Sequence, residues 1–261
     1  MRFRHNTLLR SLATAGLGVA LLCPLTAQAH FPWIEVEQSP PAAKTAPSIR
    51  LGWGHSFPAG EFLTKEDVEE LFLLSASGEK IPLAPKSATE FAVQGKLATG
   101  SHLVAGQRKP GFYTKTTEGG RRQSKKGLAN AVKCSWSTMS MKSVVNVGGK
   151  GNGGVERVVG QPLEIVPLAD PAGLKAGDTL PVRVLFRGKP LSGEIEALSV
   201  GLADTKESDA SRVTTDQAGV GRLRLATPGA WLLKVRHELP FPRPDECDVE
   251  SYVATLTFQV R

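Results

Sequence analysis

Along this chain short apolar alternations are cut by Gly, Pro and Asp turns, and no long segment keeps a 3.6-residue period. The pattern predicts an all-β protein. In "SIRLGWGHSF", residues 48–57, Ile49, Leu51, Trp53, His55 and Phe57 share one strand face, with Arg50 and the glycines on the other. "LTKEDVEELFLL" opens with a helical turn capped by Thr64 and then enters a hairpin through "SASGEKIPL". One short helix is expected over 126–145, where Leu128, Val132, Trp136 and Met139 fall at helical spacing. After the glycine-rich stretch 148–154 a more regular series begins: "LEIVPL", "TLPVRVLF", "EIEALSVGL", "GRLRLATPG", "AWLLKVRHE" and "YVATLTFQV" read as successive strands. In "AWLLKVRHE" the inward row is Trp231, Leu233, Val235 and His237, while Lys234 and Arg236 are expected to face water. Tyr252, Ala254, Leu256, Phe258 and Val260 form the buried row of the last strand. The expected architecture is two β-sandwich (Ig-like) regions in tandem, over 30–154 and 155–261, with the one short helix in the first.

The first 29 residues read differently. Arg2, Arg4 and Arg10 precede an apolar run from Leu12 to Leu25 that ends in the small-residue site Ala27-Gln28-Ala29, the layout of a cleaved export signal. The run is broken by Thr14, Gly16, Gly18 and Pro24, and it is shorter than the roughly 20 residues a membrane-spanning helix needs. Leu22 before Cys23 is wrong for a lipid-modified cysteine. The expectation is a periplasmic or otherwise exported protein without a transmembrane segment in its mature chain. Removing 29 of 261 residues leaves 232 and lowers the formal charge from +7 to about +4, too small an excess to argue for a nucleic-acid partner. The basic stretch 115–127 lacks the interleaved aromatics of a single-strand binder and reads as a solvated loop. Cys134 and Cys247 are the two cysteines left, and in an oxidising compartment an even pair is expected to form a disulfide.

Candidate chemistry lies in the histidines. Cleavage after Ala29 would make His30 the first residue, converting its amide nitrogen into an amine with a pKa of about 8. The amine and imidazole of a first-position histidine chelate one ion in a small ring, and a second imidazole completes a three-nitrogen site suited to Ni(II), Co(II), Cu(II) or Zn(II). His55 and His237 end apolar strand faces and are the candidate partners, with the disulfide expected to draw His237 toward them; His102 sits in no telling context. Gly149, Gly151 and Gly154 satisfy a dinucleotide-type glycine spacing, but the following "VERVV" and Pro162 exclude the helix that such a site needs. Neither a Walker loop nor a nucleophile motif is present.

The chain resembles the NikK-like periplasmic proteins associated with nickel and cobalt uptake. The resemblance is carried by "HFPWIEV", "GWGHSFP", "PGFYTKTTEGG", "LEIVPLADPAGLKAGDTLPVRVLFRGKPLSG", "TTDQAGVGRLRLATPGAWLLKV" and "YVATLTFQV". It implies two β-sandwich-like regions and a protein that captures or delivers a divalent ion, nickel or cobalt foremost, to a metal-uptake transporter. It implies metal ligands at His30, His55 and His237. Two other classes compete: a copper histidine-brace oxidase acting on polysaccharide, and a structural or adhesion module without metal.

Overall fold

The computed structural model describes residues 30–36, 47–58, 60–95, 97–148, 151, 153–200 and 211–261; the predicted export signal, 1–29, lies outside them. In the first half the strands are β1 (Phe31–Val36), β2 (Ser48–Gly54), β3 (Glu61–Phe62), β4 (Val68–Leu74), β5 (Lys80–Pro85), β6 (Glu90–Val93), β7 (Gly100–Thr116), β8 (Gly119–Arg121) and β9 (Ala131–Val147). The second half supplies β10 (Leu163–Pro167), β11 (Thr179–Phe186), β12 (Lys189–Pro190), β13 (Glu194–Ser199), β14 (Ser211–Thr214), β15 (Val220–Arg224), β16 (Gly229–Pro240) and β17 (Val249–Val260). The fold is all-β, as the alternating pattern predicts, and its strands form two sheets. The helical elements that lie wholly among the described residues are two 3-10 turns, Lys65–Asp67 and Pro171–Gly173. The first is the turn expected after Thr64, whose backbone N–H and hydroxyl both donate to Asp67.

The helix expected over 126–145 is not there. Ala131–Val147 is instead a 17-residue strand, paired antiparallel along β7. Its centre is buried without interruption from Met139 to Val145. A strand covered on both faces loses the alternation by which strands are recognised, and its apolar positions then match helical spacing by accident.

The larger sheet runs β1-β2-β6-β5-β4-β7-β9-β17-β16-β13-β14, with β3 beside β2 and β8 beside β7. The smaller one holds β10, β11, β12 and β15. The larger sheet crosses the glycine-rich stretch 148–154, because β17 pairs in parallel with β9. It curls so that β1 and β2 face its own middle, and Ile34, Ile49, Leu51, Leu73, Val104 and Met141 fill the space between. On the other face the small sheet packs against β13, β16 and β17 around Ile165, Val182, Trp231, Leu233, Leu256 and Phe258.

The last strand therefore has protein on both sides. Its even-numbered row meets the small sheet, as predicted. From its odd-numbered row, the hydroxyls of Thr255 and Thr257 donate to the carbonyls of Pro32 and Ile34 at 2.8 Å each, tying the first strand to the last. Lys234 does not point freely to water: its ammonium sits 4.4 Å from the centre of the Phe31 ring and pairs with Glu196 at 2.8 Å.

Two further links join the halves. Lys142 on β9 and Glu164 on β10 form a buried ion pair at 2.6 Å, with both side chains 1% exposed. Glu164 also accepts from the backbone N–H groups of Val159, Gly160 and Gln161, so the charge lies in a donor-lined niche. Cys134 and Cys247 are disulfide-bonded, as the even cysteine count predicts. Beside that bridge Asp248 accepts from the Cys134 N–H at 2.7 Å and pairs with Lys125, so part of the basic stretch is fastened to the bridged loop.

Candidate metal centre

The strands β1 and β2 run antiparallel, with Phe31 opposite Gly54, Pro32 opposite Trp53 and Trp33 opposite Gly52. Continuing this register one step outward places His30 opposite His55. Their rings are 3.8 Å apart between centroids. His30 also stacks on Trp53, at 5.3 Å and 24° between planes. Only one residue separates any cut after Ala29 from the sheet, since Phe31 is 1% exposed and already in β1. The new amine would be held where the His30 backbone is held.

Local sequence explains this placement. Trp33 is fully buried, and an added Cβ on Gly52 would lie 2.0 Å from its indole ring. The glycine of "GWGH" thus lets β1 and β2 pair with a tryptophan folded across the ladder. Trp33 in turn donates its indole N–H to Glu35 at 2.9 Å.

The electrostatics favour a neutral imidazole. Burial lowers the pKa of His30 below its ordinary value of 6.5, the neighbouring His55 lowers it further, and Glu61 partly opposes both. Nδ1 of His55 is buried and has no hydrogen-bond partner among the described residues. An imidazole nitrogen in that state has its lone pair or its proton unspent, which is unusual for a buried polar atom.

His55 and His30 open onto a cavity of about 1020 Å³ that runs along β7 past Arg108 and Tyr113 toward Arg236. Glu61, Glu66 and Asp67 lie on its wall, and Glu61 is close enough to act on the charge of His30. Asp67 is buried enough to raise its pKa, yet the two hydrogen bonds from Thr64 and the charges of Arg108 and Arg122 leave it below the usual carboxylate range. Arg108 lies over the Trp53 ring at 4.8 Å, and its Nε is buried without a partner among the described residues. The sequence pattern did not single out this arginine.

The structure does not bring His237 to this pair. On β16 the cavity is lined by Arg236 and Glu238, and the residue between them necessarily points the other way. Its ring packs on Phe186 at 4.6 Å, on the side of the smaller sheet. β16 continues past it to Pro240, so His237 is not a strand end. The disulfide forms without turning this residue toward the other two histidines. His102 is a satisfied core histidine: Nδ1 accepts from the Ala76 N–H at 3.2 Å and Nε2 lies 2.9 Å from the Ala98 carbonyl oxygen. Asp245 pairs with Lys126.

Among the described residues, no three His, Cys, Asp or Glu side chains are grouped to hold a metal ion. Side chains alone supply two imidazoles here. A nitrogen-rich site of three donors is reached only if the His30 backbone nitrogen is an amine, and in that form the donor set fits a divalent ion of intermediate softness.

Fold and site together define an all-β protein whose first strand is clamped into the main sheet and presents a histidine pair to a deep, charged cavity. Residues 27–239 match the family model described as a domain of unknown function (DUF4198), and the chain belongs to that family. No curated protein matches the sequence. Among the described residues, no helix is long and apolar enough to cross a membrane.

Proposed function

We propose that this is an exported protein that, once cut after Ala29, captures a divalent transition metal and delivers it to an uptake system. The ligands are the amine and imidazole of His30 and the imidazole of His55. The observation that carries this reading is the register of β1 and β2, which sets the two histidine rings 3.8 Å apart between centroids, one residue beyond a buried strand. The unpartnered Nδ1 of His55 supports it. Nickel or cobalt is the proposed cargo, on the resemblance to periplasmic proteins of nickel and cobalt uptake. Copper would bind such a nitrogen set with higher intrinsic affinity, so the choice of cargo depends on supply as well as on the site.

Titration calorimetry with Ni(II), Co(II), Cu(II) and Zn(II) tests the reading on two forms, one starting at His30 and one retaining Ala29. The form starting at His30 is expected to bind one ion. One extra residue turns the amine back into an amide and should weaken binding by about a hundredfold or more, the scale of losing one ligand from a chelate. His55→Ala should do the same, and His237→Ala should leave the affinity unchanged. Equal affinity of the two forms would end the proposal.

A further inference from the structure

We propose that the cavity beside the histidine pair receives the metal as a chelate with a small organic polycarboxylate, whose remaining carboxylates pair with Arg108 and Arg122. The inference rests on the reading of His30 and His55 as metal ligands and deepens it by naming the form of the cargo.

Size is the first argument. A cavity of about 1020 Å³ is far larger than one ion and its few waters, each of roughly 30 Å³, and matches the range of organic-ligand sites. The sign of the charge is the second. Six Lys or Arg residues line the cavity against four Asp or Glu residues, so a bare divalent cation would enter against the local field and an anionic chelate with it.

The third argument is which cations are unpaired. Lys133 and Arg236 share Glu238, at 3.5 and 3.6 Å. Arg108 and Arg122 have no carboxylate within ion-pair distance among the described residues; Asp67, on whose charge both act, accepts hydrogen bonds from Thr64. Arg108 also holds a buried Nε without a hydrogen-bond partner among the described residues. An unsatisfied buried guanidinium nitrogen is costly, and a carboxylate is the group whose planar fork it matches in two parallel hydrogen bonds. Position completes the case, since Trp53 touches both sides of the site: the His30 ring stacks on it and the Arg108 guanidinium lies over it. A ligand bridging guanidinium and metal needs only the reach of a small di- or tricarboxylate.

Equilibrium dialysis of the form starting at His30 against radiolabelled nickel and radiolabelled citrate, both counted, tests the inference. One citrate should be retained per nickel, and citrate without nickel should be retained far less. Arg108→Gln and Arg122→Gln should each lower the citrate-to-nickel ratio, with a loss of about tenfold or more in citrate affinity for one charge-assisted contact. Arg122 is exposed, so its variant folds even where substitution of the half-buried Arg108 does not. Nickel retained without citrate, citrate merely stripping nickel from the protein, or a ratio indifferent to both substitutions would overturn the inference and leave the metal-binding reading standing. Retention of neither label would sink the metal-binding reading, and this inference with it.

Discussion

His30 and His55 show what a sequence can say about a site one residue at a time. Each stands at the end of an apolar strand, one leading and one trailing, and antiparallel pairing of those strands puts the two ends together. His237 looked equivalent because its strand was read as stopping there; the strand runs on, and the side chain lies on the far face. Arg108 was not legible, since its meaning comes from the buried Nε and the Trp53 contact, neither of which has a sequence signal. The titration of the ligands gives a prediction at this scale. Burial and the neighbouring imidazole already hold His30 neutral above its ordinary 6.5, so between about pH 6.5 and 8 a proton on the amine, and not one on the His30 ring, competes with metal. Apparent affinity should rise about tenfold per pH unit in that window, and more steeply below it, where His30 also takes a proton as the pH falls. Calorimetry across pH 5.5 to 8.5 in non-chelating buffers measures the slope; a flat profile would exclude a nitrogen-ligated site.

The element that matters most is the first strand. Its partner β2 was readable from "SIRLGWGHSF", whereas its own burial and the pairing of the two strands were not read from the sequence. Its attachment to the last strand through Thr255 and Thr257 was not, because those threonines sit on the face that the alternation assigned to solvent. The same blindness produced the expected helix in place of β9: burial on two faces erases the period-two signal. Gly52 is the position on which the strand pair turns. A methyl group there would overlap the Trp33 indole, so Gly52→Ala should lower stability by about 1–3 kcal/mol, the usual cost of overpacking. It should also weaken metal binding, by shifting β1 against β2 and parting His30 from His55. Urea unfolding and nickel titration on one preparation check both, and a variant with unchanged stability and affinity would show that the close approach is not needed.

At the scale of the molecule, the sequence correctly foretold an all-β chain and the disulfide. Hidden from it was that one sheet runs through both halves, since a parallel pairing between β9 and β17 joins segments too distant for any local pattern to connect. The buried Lys142–Glu164 pair acts at that junction. Burial lowers the pKa of Lys142, and the charge of Glu164 with its hydrogen bond works against the shift. Lys142→Met should cost about 3–5 kcal/mol by leaving Glu164 buried and unpaired, and the double variant with Glu164→Gln should regain part of the loss. Denaturant unfolding of both variants beside the unsubstituted protein reads this; a neutral Lys142→Met would mean that the backbone donors around Glu164 suffice alone. The central claim is that processing creates the metal site, and it is tested most directly by the structure of the form starting at His30 crystallised with nickel, with the ion located by its anomalous scattering. The account predicts one strong peak at about 2.1 Å from the terminal amine and from a ring nitrogen of each of His30 and His55. A peak elsewhere, or a terminus turned away from His55 with no peak beside it, would contradict it.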